Sequence, residues 1–182
     1  MGSQRLFIAV RPDAAAVKDL TEYIGDLHVA VPWKRCLEYD LWHVTVAYIG
    51  VADVKVAART LRDATANTSG FTLRLAGGGR FGRGRYNIVY AGLGGDVERL
   101  VRLAVHTRDT LEAAGLPFDR KQYRPHLTLA PAGARLGNGE SAEDLMSLRR
   151  YQGPEWDVTE VGLYRSVTGP RPAYVLEDSI DL

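Results

Sequence analysis

Two four-residue segments of this 182-residue chain share one pattern of residue types. His43-Val44-Thr45-Val46 recurs as His126-Leu127-Thr128-Leu129, 83 positions further along the chain. In an extended strand, side chains two residues apart point to the same face. Each histidine is therefore predicted to share a face with its threonine, while the intervening apolar side chains point into a core. If the two strands lie side by side, two imidazoles and two hydroxyls gather on one surface.

This set of side chains is suited to acid/base chemistry on a phosphate. Histidine is the side chain that is appreciably neutral and appreciably protonated near neutral pH. A neutral imidazole can take a proton from an attacking water or hydroxyl, while a protonated one gives a proton to the leaving oxygen; each role is typically worth ~10²–10⁴-fold in rate. Threonine hydroxyls can donate to the non-bridging oxygens. Because the second imidazole neutralises the leaving alkoxide, we predict no metal ion and no cofactor.

Other catalytic patterns are absent from the sequence. There is no HExxH or CxxC segment, and Cys36 is the only cysteine, so a zinc site is disfavoured. No GxSxG nucleophile elbow occurs. The glycine- and arginine-rich run 77–85 lacks the GK[ST] ending of a phosphate-binding Walker loop. His28 and His106 lack the His-x-Thr pattern, and we interpret them as structural or solvated residues.

The charge distribution predicts a positive patch in the middle of the chain. The whole chain carries 23 basic and 22 acidic side chains, a net charge of +1 that implies no avid nucleic-acid or membrane binding. Residues 71–126, however, hold ten Lys and Arg against five Asp and Glu, whereas residues 140–182 hold four against nine. A single cysteine excludes an intrachain disulfide and suits a reducing compartment. With no signal peptide and no stretch of ~20 apolar residues, we expect a cytoplasmic monomer.

The hydrophobic periodicity predicts an alternation of strands and helices in one domain over residues 1–182. Strands are predicted over 5–10, 33–39, 42–49, 71–75, 87–93, 124–130, 156–165 and 173–180. Helices are predicted to begin at Pro12-Asp13, to span 53–66, to run from 97 to about 114, and to span 141–151 with a capping box at Ser141-Asp144. Run 77–85 is predicted to be a loop. Ile8 precedes His43 by 35 residues and Val89 precedes His126 by 37, which indicates two β-α-β units related by a pseudo-twofold axis.

Several further residues are candidates for substrate contact. Arg124, two residues before His126, would share the motif face if Pro125 leaves the strand regular. One of Arg80, Arg83 and Arg85 is a candidate for binding RNA phosphates, and the alternative is that all three are solvated. Trp42 is expected in the core. The possible base-stacking residues, each more often a packing residue, are Phe7, Trp33, Tyr48 and Tyr123.

The chain resembles the 2H phosphoesterase superfamily, which is named for two HxTx motifs, and within it the RNA 2′,3′-cyclic phosphodiesterases, first described as 2′-5′ RNA ligases. The resemblance covers nearly the whole length. It rests on the opening strand 5–10, on 42–50, on 124–130, and on Leu163-Tyr164-Arg165-Ser166. One departure is Pro131, which stands where many relatives have arginine.

The resemblance implies an α+β, bilobal fold in which two antiparallel sheets flank a central groove and the helices lie outside. It implies that His43 is the general acid and His126 the general base. Thr45 and Thr128 would hold the phosphate. The implied partner is RNA or an oligonucleotide with a 2′,3′-cyclic phosphate end, and the implied product is a 2′-phosphate.

Two other functions are compatible with the same residues. A related enzyme would keep the groove and act on another cyclic phosphate or a 2′-5′ linkage, including 2′-5′ RNA ligation in reverse. A non-catalytic binder of RNA ends would bind cyclic-phosphate ends without turnover. The two intact His-x-Thr segments disfavour the binder, since binding alone does not need two histidines.

Overall fold

The computed structural model describes residues 3–31, 37–82, 87–134, 136–169 and 172–182. Its elements follow the order β1 (Gln4–Val10), α1 (Ala14–Tyr23), β2 (Val44–Ala52), α2 (Val54–Thr65), β3 (Phe71–Phe81), β4 (Ile88–Gly95), α3 (Val97–Ala113), β5 (Leu127–Ala130), α4 (Asn138–Leu148), β6 (Gln152–Val158), β7 (Glu160–Val167) and β8 (Ala173–Asp181). Short 3-10 turns cover His28–Ala30 and Tyr39–Leu41.

The strands form two antiparallel halves, which confirms the predicted α+β architecture. The order is β6-β3-β4-β5-β2-β1-β7-β8, and every recorded strand pair is antiparallel. The halves β6-β3-β4-β5 and β2-β1-β7-β8 meet where Val44 pairs with Leu127, the one register pair recorded between β2 and β5 in the described residues. Both side chains are fully buried. The predicted two sheets are thus joined by a narrow junction into one eight-stranded sheet.

The helices cover one side of this sheet, which we call the helix face, and leave the other side as the open face. Helix α2 packs on β1, β7 and β8, and α3 packs on α2 and β2. On the other half, α4 packs on β3 and β4, while α1 packs on β6 and β3. Under a pseudo-twofold axis at the β2/β5 junction, β1-α1-β2-α2 therefore matches β4-α3-β5-α4. Both α1 and α3 pack against the half of the sheet to which their flanking strands do not belong.

The core lies on the helix face. Alternate strand residues such as Leu6, Ile8 and Val10 are almost fully buried there, in one cluster that also takes in residues of both halves and all four helices. A second, small cluster lies on the open face and contains Phe7, Ala9 and Tyr164. One continuous core agrees with a single domain over residues 1–182, which stays a prediction.

Two helix starts show how the sequence sets these elements. Asp13 caps α1 by accepting a hydrogen bond from the amide of Ala16 at 2.7 Å, and Asp53 caps α2 by accepting from the amides of Lys55 and Val56. The capping box predicted at Ser141-Asp144 is wrong. Helix α4 begins earlier, after Gly137, whose amide donates to the Glu140 carboxylate at 2.9 Å.

Outside β3, four predicted strands differ substantially from the structure. Strand β2 continues past Ile49 to Ala52 because Gly50 adopts a positive φ of 87° within it. Strand β5 begins at Leu127 rather than 124, since Pro125 has no amide hydrogen to donate. The segment predicted as a strand over 156–165 is divided between β6 and β7 at Thr159. Over 33–39, residues 33–36 lie outside the described residues, and Leu37 and Glu38 are not in a strand.

The loop predicted over 77–85 is wrong in its first part, which lies within β3 as far as Phe81. Glycine is required at Gly77, Gly78 and Gly79 for different reasons. Gly77 has φ of 67° at the point where the register with β4 shifts, a conformation that L side chains rarely adopt. A Cβ on Gly78 would lie 2.6 Å from Leu148 Cβ, and a Cβ on Gly79 would lie 2.2 Å from the hydroxyl oxygen of Tyr90.

Candidate active site

Four polar side chains of the two motifs surround the β2/β5 junction. Val44 and Leu127 pair there and point to the helix face, so their sequence neighbours point to the open face. Continuing the antiparallel register by one residue each way places His43 opposite Thr128 and Thr45 opposite His126. Opposite residues in such a pair have Cβ atoms ~4.5–5.5 Å apart, and diagonal ones, here the two histidines, ~7–8 Å. The structure therefore brings the two motifs together.

Both histidines are held in the same way by the backbone before them. Nδ1 of His43 donates to the carbonyl oxygen of Leu41 at 2.8 Å, and Nδ1 of His126 donates to that of Arg124 at 2.7 Å. We assign the hydrogen to Nδ1 because a carbonyl oxygen can only accept. In the neutral form each Nε2 then carries the lone pair. Nε2 of His43 accepts a hydrogen bond from the Thr45 hydroxyl at 3.1 Å.

Aromatic rings enclose the imidazole of His43. The ring of Phe7 lies 4.8 Å from it and the ring of Tyr174 lies 5.0 Å from it, measured between centroids. Phe7 in turn stacks on Tyr164 at 5.4 Å. The space among these rings and Arg11 is too small for a water molecule. His43 is thus closed on this side, and its imidazole is approached from the side of the junction.

His126 has a related but more open surrounding on the other half. The rings of Phe81 and Tyr90 lie 5.0 and 5.4 Å from the imidazole and stack on one another at 4.4 Å. Tyr90 can lie flat over β3 because the residue beneath its hydroxyl is Gly79. The equivalent arrangement on the first half places the Tyr164 ring over Gly162, where a Cβ would come within 2.5 Å of it. On each half, therefore, one ring of a stacked aromatic pair lies over a glycine, and the imidazole contacts Phe7 of one pair and both rings of the other.

The surroundings lower the pKa of both histidines. Burial is the main cause for His43, opposed by its hydrogen bond to Leu41, and the nearby Arg11 and His126 lower its pKa further. Burial is also the main cause for His126, again opposed by the backbone hydrogen bond. The influence of His126 on His43 agrees with the closeness of the two imidazoles. In the ligand-free protein both are held toward the neutral form.

A cleft of about 610 Å³ opens beside His126. Its walls come from β2, from the strand ends at Phe81 and Ile88, from α3, and from the segment that leads into β5. The lining residues are Thr45, Tyr48, Phe81, Ile88, Arg108, Asp119, Lys121, Gln122, Tyr123, Arg124 and His126. Three lysine or arginine side chains against one aspartate make it positively charged, as the charge count over 71–126 predicted. A hollow of about 360 Å³ lined by Trp42 and Leu129 includes neither histidine.

The segment leading into β5 is fixed to β2 at two points. The amide of Asp119 donates to the carbonyl oxygen of Tyr48 at 2.9 Å, and the Tyr123 hydroxyl donates to that of Thr45 at 2.9 Å. Burial raises the pKa of Tyr123 far above its ordinary value, so the hydroxyl keeps its hydrogen. The cleft wall is therefore held at the threonine of the first motif.

The other predicted site residues fall in different places. Arg124 lines the cleft, with its guanidinium 5.9 Å from the Phe81 ring centroid. Arg80 pairs with the buried Val89, so by alternation it points away from the open face. Arg83, Arg85 and Trp33 lie outside the described residues. Trp42 is buried in the core, as predicted.

Two histidines are predicted to be structural or solvated. Nδ1 of His28 lies 2.9 Å from the buried carboxylate of Asp144, which also accepts hydrogen bonds from the amides of His28 and Val29. His106 is exposed on α3. Among the described residues, no three His, Cys, Asp or Glu side chains are grouped so that they could hold a metal ion. No helix in this part of the chain is both long and apolar enough to cross a membrane.

Sequence reasoning missed the residues that contact the histidines from other strands. Arg11, Tyr90 and Tyr174 belong to strands, or follow strands, whose pairing the sequence does not reveal. Arg108 and Lys121 count toward the positive region, but the sequence assigns them to no surface. The glycines of β3 offered the one usable signal, because glycine within a strand often marks the close approach of another group.

Comparison with known proteins places the chain in a family. The sequence profile of the 2′-5′ RNA ligase superfamily matches residues 41–170. A protein named RNA 2′,3′-cyclic phosphodiesterase from Geobacillus stearothermophilus is 29% identical over 96% of this chain, which spans 56% of that protein's length. A protein of the same name from Aeropyrum pernix is 30% identical over 69% of this chain and 70% of its own length.

Solved structures share the fold. E. coli LigT in complex with 3′-AMP superimposes with a TM-score of 0.78 at 22% identity, over 99% of this chain and 98% of the LigT chain. A protein of Thermus thermophilus superimposes with a TM-score of 0.71 at 22% identity, over 98% and 97% of the two chains. At these identities the likeness concerns the fold alone. The profile match covers most of the chain, and the chain therefore belongs to the 2′-5′ RNA ligase superfamily.

Proposed function

We propose that this protein hydrolyses RNA 2′,3′-cyclic phosphate ends to 2′-phosphates with two histidines as acid and base. The observation that carries the proposal is the junction of β2 and β5, which gathers two imidazoles and two hydroxyls on the open face. The names of the Geobacillus and Aeropyrum relatives and the LigT complexes with 3′-AMP and with phosphate agree with a phosphate ester as substrate.

The proposed reaction uses the two Nε2 atoms. Water attacks phosphorus from the side opposite O3′, and its proton passes to Nε2 of His126. The P–O3′ bond breaks, and O3′ takes a proton from Nε2 of His43. The product carries a 2′-phosphate and a free 3′-hydroxyl, and the two histidines return to their starting forms by proton exchange with solvent. Thr45 and Thr128 donate to the non-bridging oxygens, where charge develops.

The lowered pKa of His43 has a consequence for this assignment. A general acid has to carry a proton before the reaction, whereas burial, Arg11 and His126 favour the neutral ring. The bound phosphate is an anion beside that ring, and an opposite charge at ~4–6 Å raises the pKa of a cationic group. Substrate binding therefore favours protonation of His43, and this is the proton that His43 transfers to O3′.

The test is hydrolysis of a short RNA with a 2′,3′-cyclic phosphate end, followed by identification of the product. The wild-type protein should release 2′-phosphate ends in the presence of EDTA. His43→Ala and His126→Ala should each lose ~10²–10⁴-fold in kcat, the usual contribution of an acid or base. Full activity in either variant would refute the proposal. Tight binding of the cyclic end by the wild-type protein without turnover would instead identify a binder of RNA ends.

A further inference from the structure

The cleft beside His126 is larger than a terminal phosphate requires. It measures about 610 Å³, whereas one water molecule occupies ~30 Å³ of liquid volume. It extends from Thr45 and His126 at one end toward Tyr48, Asp119 and Lys121. On the side of His43, by contrast, the rings of Phe7, Tyr164 and Tyr174 leave too little space for a water molecule. A chain that continues beyond the reacting phosphate therefore has room on the His126 side.

One wall of the cleft carries cations whose hydrogen-bonding capacity is not used up. The Arg108 guanidinium lies 5.1 Å from the centroid of the Tyr123 ring and donates to the carbonyl oxygen of Lys121 at 2.9 Å. The Arg108 side chain lines the cleft, and its Nε, which has no hydrogen-bond partner among the described residues, is buried and not itself exposed to the cleft. The Lys121 side chain is 88% exposed, and its ammonium lies 3.7 Å from Asp119, a weak surface pair. Both groups suit an anionic ligand such as a phosphodiester.

The lining of the cleft also includes an aromatic side chain. Tyr48 is 41% exposed although it lies on β2, three residues after Thr45. Its backbone carbonyl oxygen is engaged by Asp119, but the ring lines the cleft. Stacking of a base on such a ring is tolerant of sequence, because every base has a flat face.

We propose that this cleft binds the nucleotide that precedes the cyclic-phosphate nucleotide, with Arg108 and Lys121 on the internucleotide phosphate and Tyr48 against the base. This inference rests on the proposed function. It makes the protein selective for oligonucleotide ends over cyclic mononucleotides, and it assigns that selectivity to residues outside the two motifs.

The experiment compares kcat/KM for uridine 2′,3′-cyclic phosphate with kcat/KM for the dinucleotide UpU bearing the same end. The wild-type protein should prefer the dinucleotide at least tenfold. Lys121→Ala and Tyr48→Ala should each lower kcat/KM at least fivefold for the dinucleotide and less than twofold for the mononucleotide. Tyr48→Phe, which keeps the ring, should behave as the wild type. Lys18→Ala is the matched control, since Lys18 is 77% exposed and lies 3.9 Å from Glu22.

Salt dependence gives a second readout. For single-stranded nucleic acids, the logarithm of the binding constant falls linearly with the logarithm of the salt concentration, and each phosphate contact adds ~0.7 to the steepness of that line. Lys121→Ala should therefore reduce that slope by ~0.7 for the dinucleotide, whereas Lys18→Ala should leave it unchanged.

Equal wild-type kcat/KM on the two substrates overturns the inference while the proposed function stands. Equal losses on both substrates in Lys121→Ala and Tyr48→Ala also overturn it, because the cleft then holds the terminal nucleoside. Absence of hydrolysis of either substrate is a different result. It refutes the proposed function and the inference with it.

Discussion

Val44 lies opposite Leu127 where the two halves of the sheet meet, and each of these buried residues is flanked by the histidine and threonine of its own motif. The antiparallel register then sets each histidine across from the threonine of the other motif. A phosphate bound at the junction is therefore within reach of one imidazole and one hydroxyl from each half. This arrangement and its supports can be tested by substitution, by substrate analogues and by pH.

The first prediction separates the acid from the base. Sulfur in place of O3′ of the cyclic phosphate gives a thiolate leaving group, which needs no proton because a thiol has a pKa of ~8.5. His43→Ala should cleave this analogue at nearly the wild-type rate, while His126→Ala should stay inactive on it. Single-turnover rates on the oxygen and sulfur substrates are the measurement. If His126→Ala, rather than His43→Ala, cleaves the sulfur analogue at nearly the wild-type rate, His126 is the general acid and His43 the general base.

The second prediction concerns pH. Burial is the main reason that the pKa of both histidines is lowered from the ordinary value of 6.5, so the form of the free enzyme with one proton on the pair is most populated below that pH. The profile of kcat/KM, which reports the free enzyme, should be bell-shaped with its maximum below pH 6.5. The descending limb of kcat should lie at higher pH, since bound phosphate raises the pKa of the acid. Coincident limbs in kcat and kcat/KM would contradict this.

The third prediction tests the cation beside His43. Arg11 lowers the pKa of His43, so Arg11→Gln should raise that pKa and move the affected limb of kcat/KM to higher pH. Arg5→Gln is the matched control, because Arg5 is an exposed residue at the other end of β1. The measurement is the pH at which this limb of the kcat/KM profile falls to half its maximum, and not the maximal value of kcat/KM. An unmoved limb in Arg11→Gln rules out this electrostatic influence.

The fourth prediction concerns the glycines beneath the aromatic rings. An alanine at Gly79 would place Cβ 2.2 Å from the Tyr90 hydroxyl oxygen, so the ring that supports His126 has to move. Gly79→Ala should lower kcat more than tenfold. Gly139→Ala should keep full activity, because a Cβ there meets nothing within 4 Å. If the clash is the cause, Tyr90→Ala added to Gly79→Ala should not lower kcat further, and a further large loss would argue against it.

The fifth prediction concerns stability. Asp144 is 1% exposed and accepts hydrogen bonds from two amides and from the His28 ring. Asp144→Ala leaves both amides unpaired, and it should lower the free energy of unfolding by about 3 kcal/mol, measured by urea denaturation. Glu98→Gln is the control, because the Glu98 side chain is 95% exposed and lies far along the chain from the His28–Asp144 pair. An unchanged midpoint in Asp144→Ala would contradict the structural role.

The same pair gives stability a pH dependence of known sign. The hydrogen bond to Asp144 is the main reason that the pKa of His28 is raised above 6.5. Its contribution to stability should therefore be complete below pH 6.5 and lost as the pH rises through the folded-state value. His28→Ala should remove this dependence, which denaturation at about pH 5.5 and about pH 8.5, on either side of that window, will detect.

The sequence predicted the centre of the site because a two-residue spacing in a strand fixes which side chains share a face. His43 and Thr45 had to lie together whatever the remaining fold, and the repeat at His126 suggested that the two strands are neighbours. The contacts of the surrounding aromatic rings with the histidines could not be predicted from the sequence. Phe7 and Tyr174 contact His43 from β1 and β8, and only the strand order reveals that these elements meet there.

Two errors in the predicted elements share one cause. Glycine suggests a loop at 77–85 and a strand end at Gly50, yet β3 and β2 continue through Gly77–Phe81 and through Gly50. The sequence shows that these positions have no side chain, but the reason for glycine there depends on which residues pack against them in the fold. Leu148 on α4 and the Tyr90 ring on β4 occupy the space above Gly78 and Gly79, and neither neighbour is close in sequence.

The exchange of α1 and α3 between the halves makes the two repeats mutually dependent. Cutting the chain between β3 and β4 would leave the first fragment with a helix whose apolar side has lost β6, and the second with a helix that has lost β2. Neither fragment on its own would shield its strands from water. The junction of the two motifs and the stability of the molecule thus depend on the same packing, because each repeat supplies a helix that covers strands of the other.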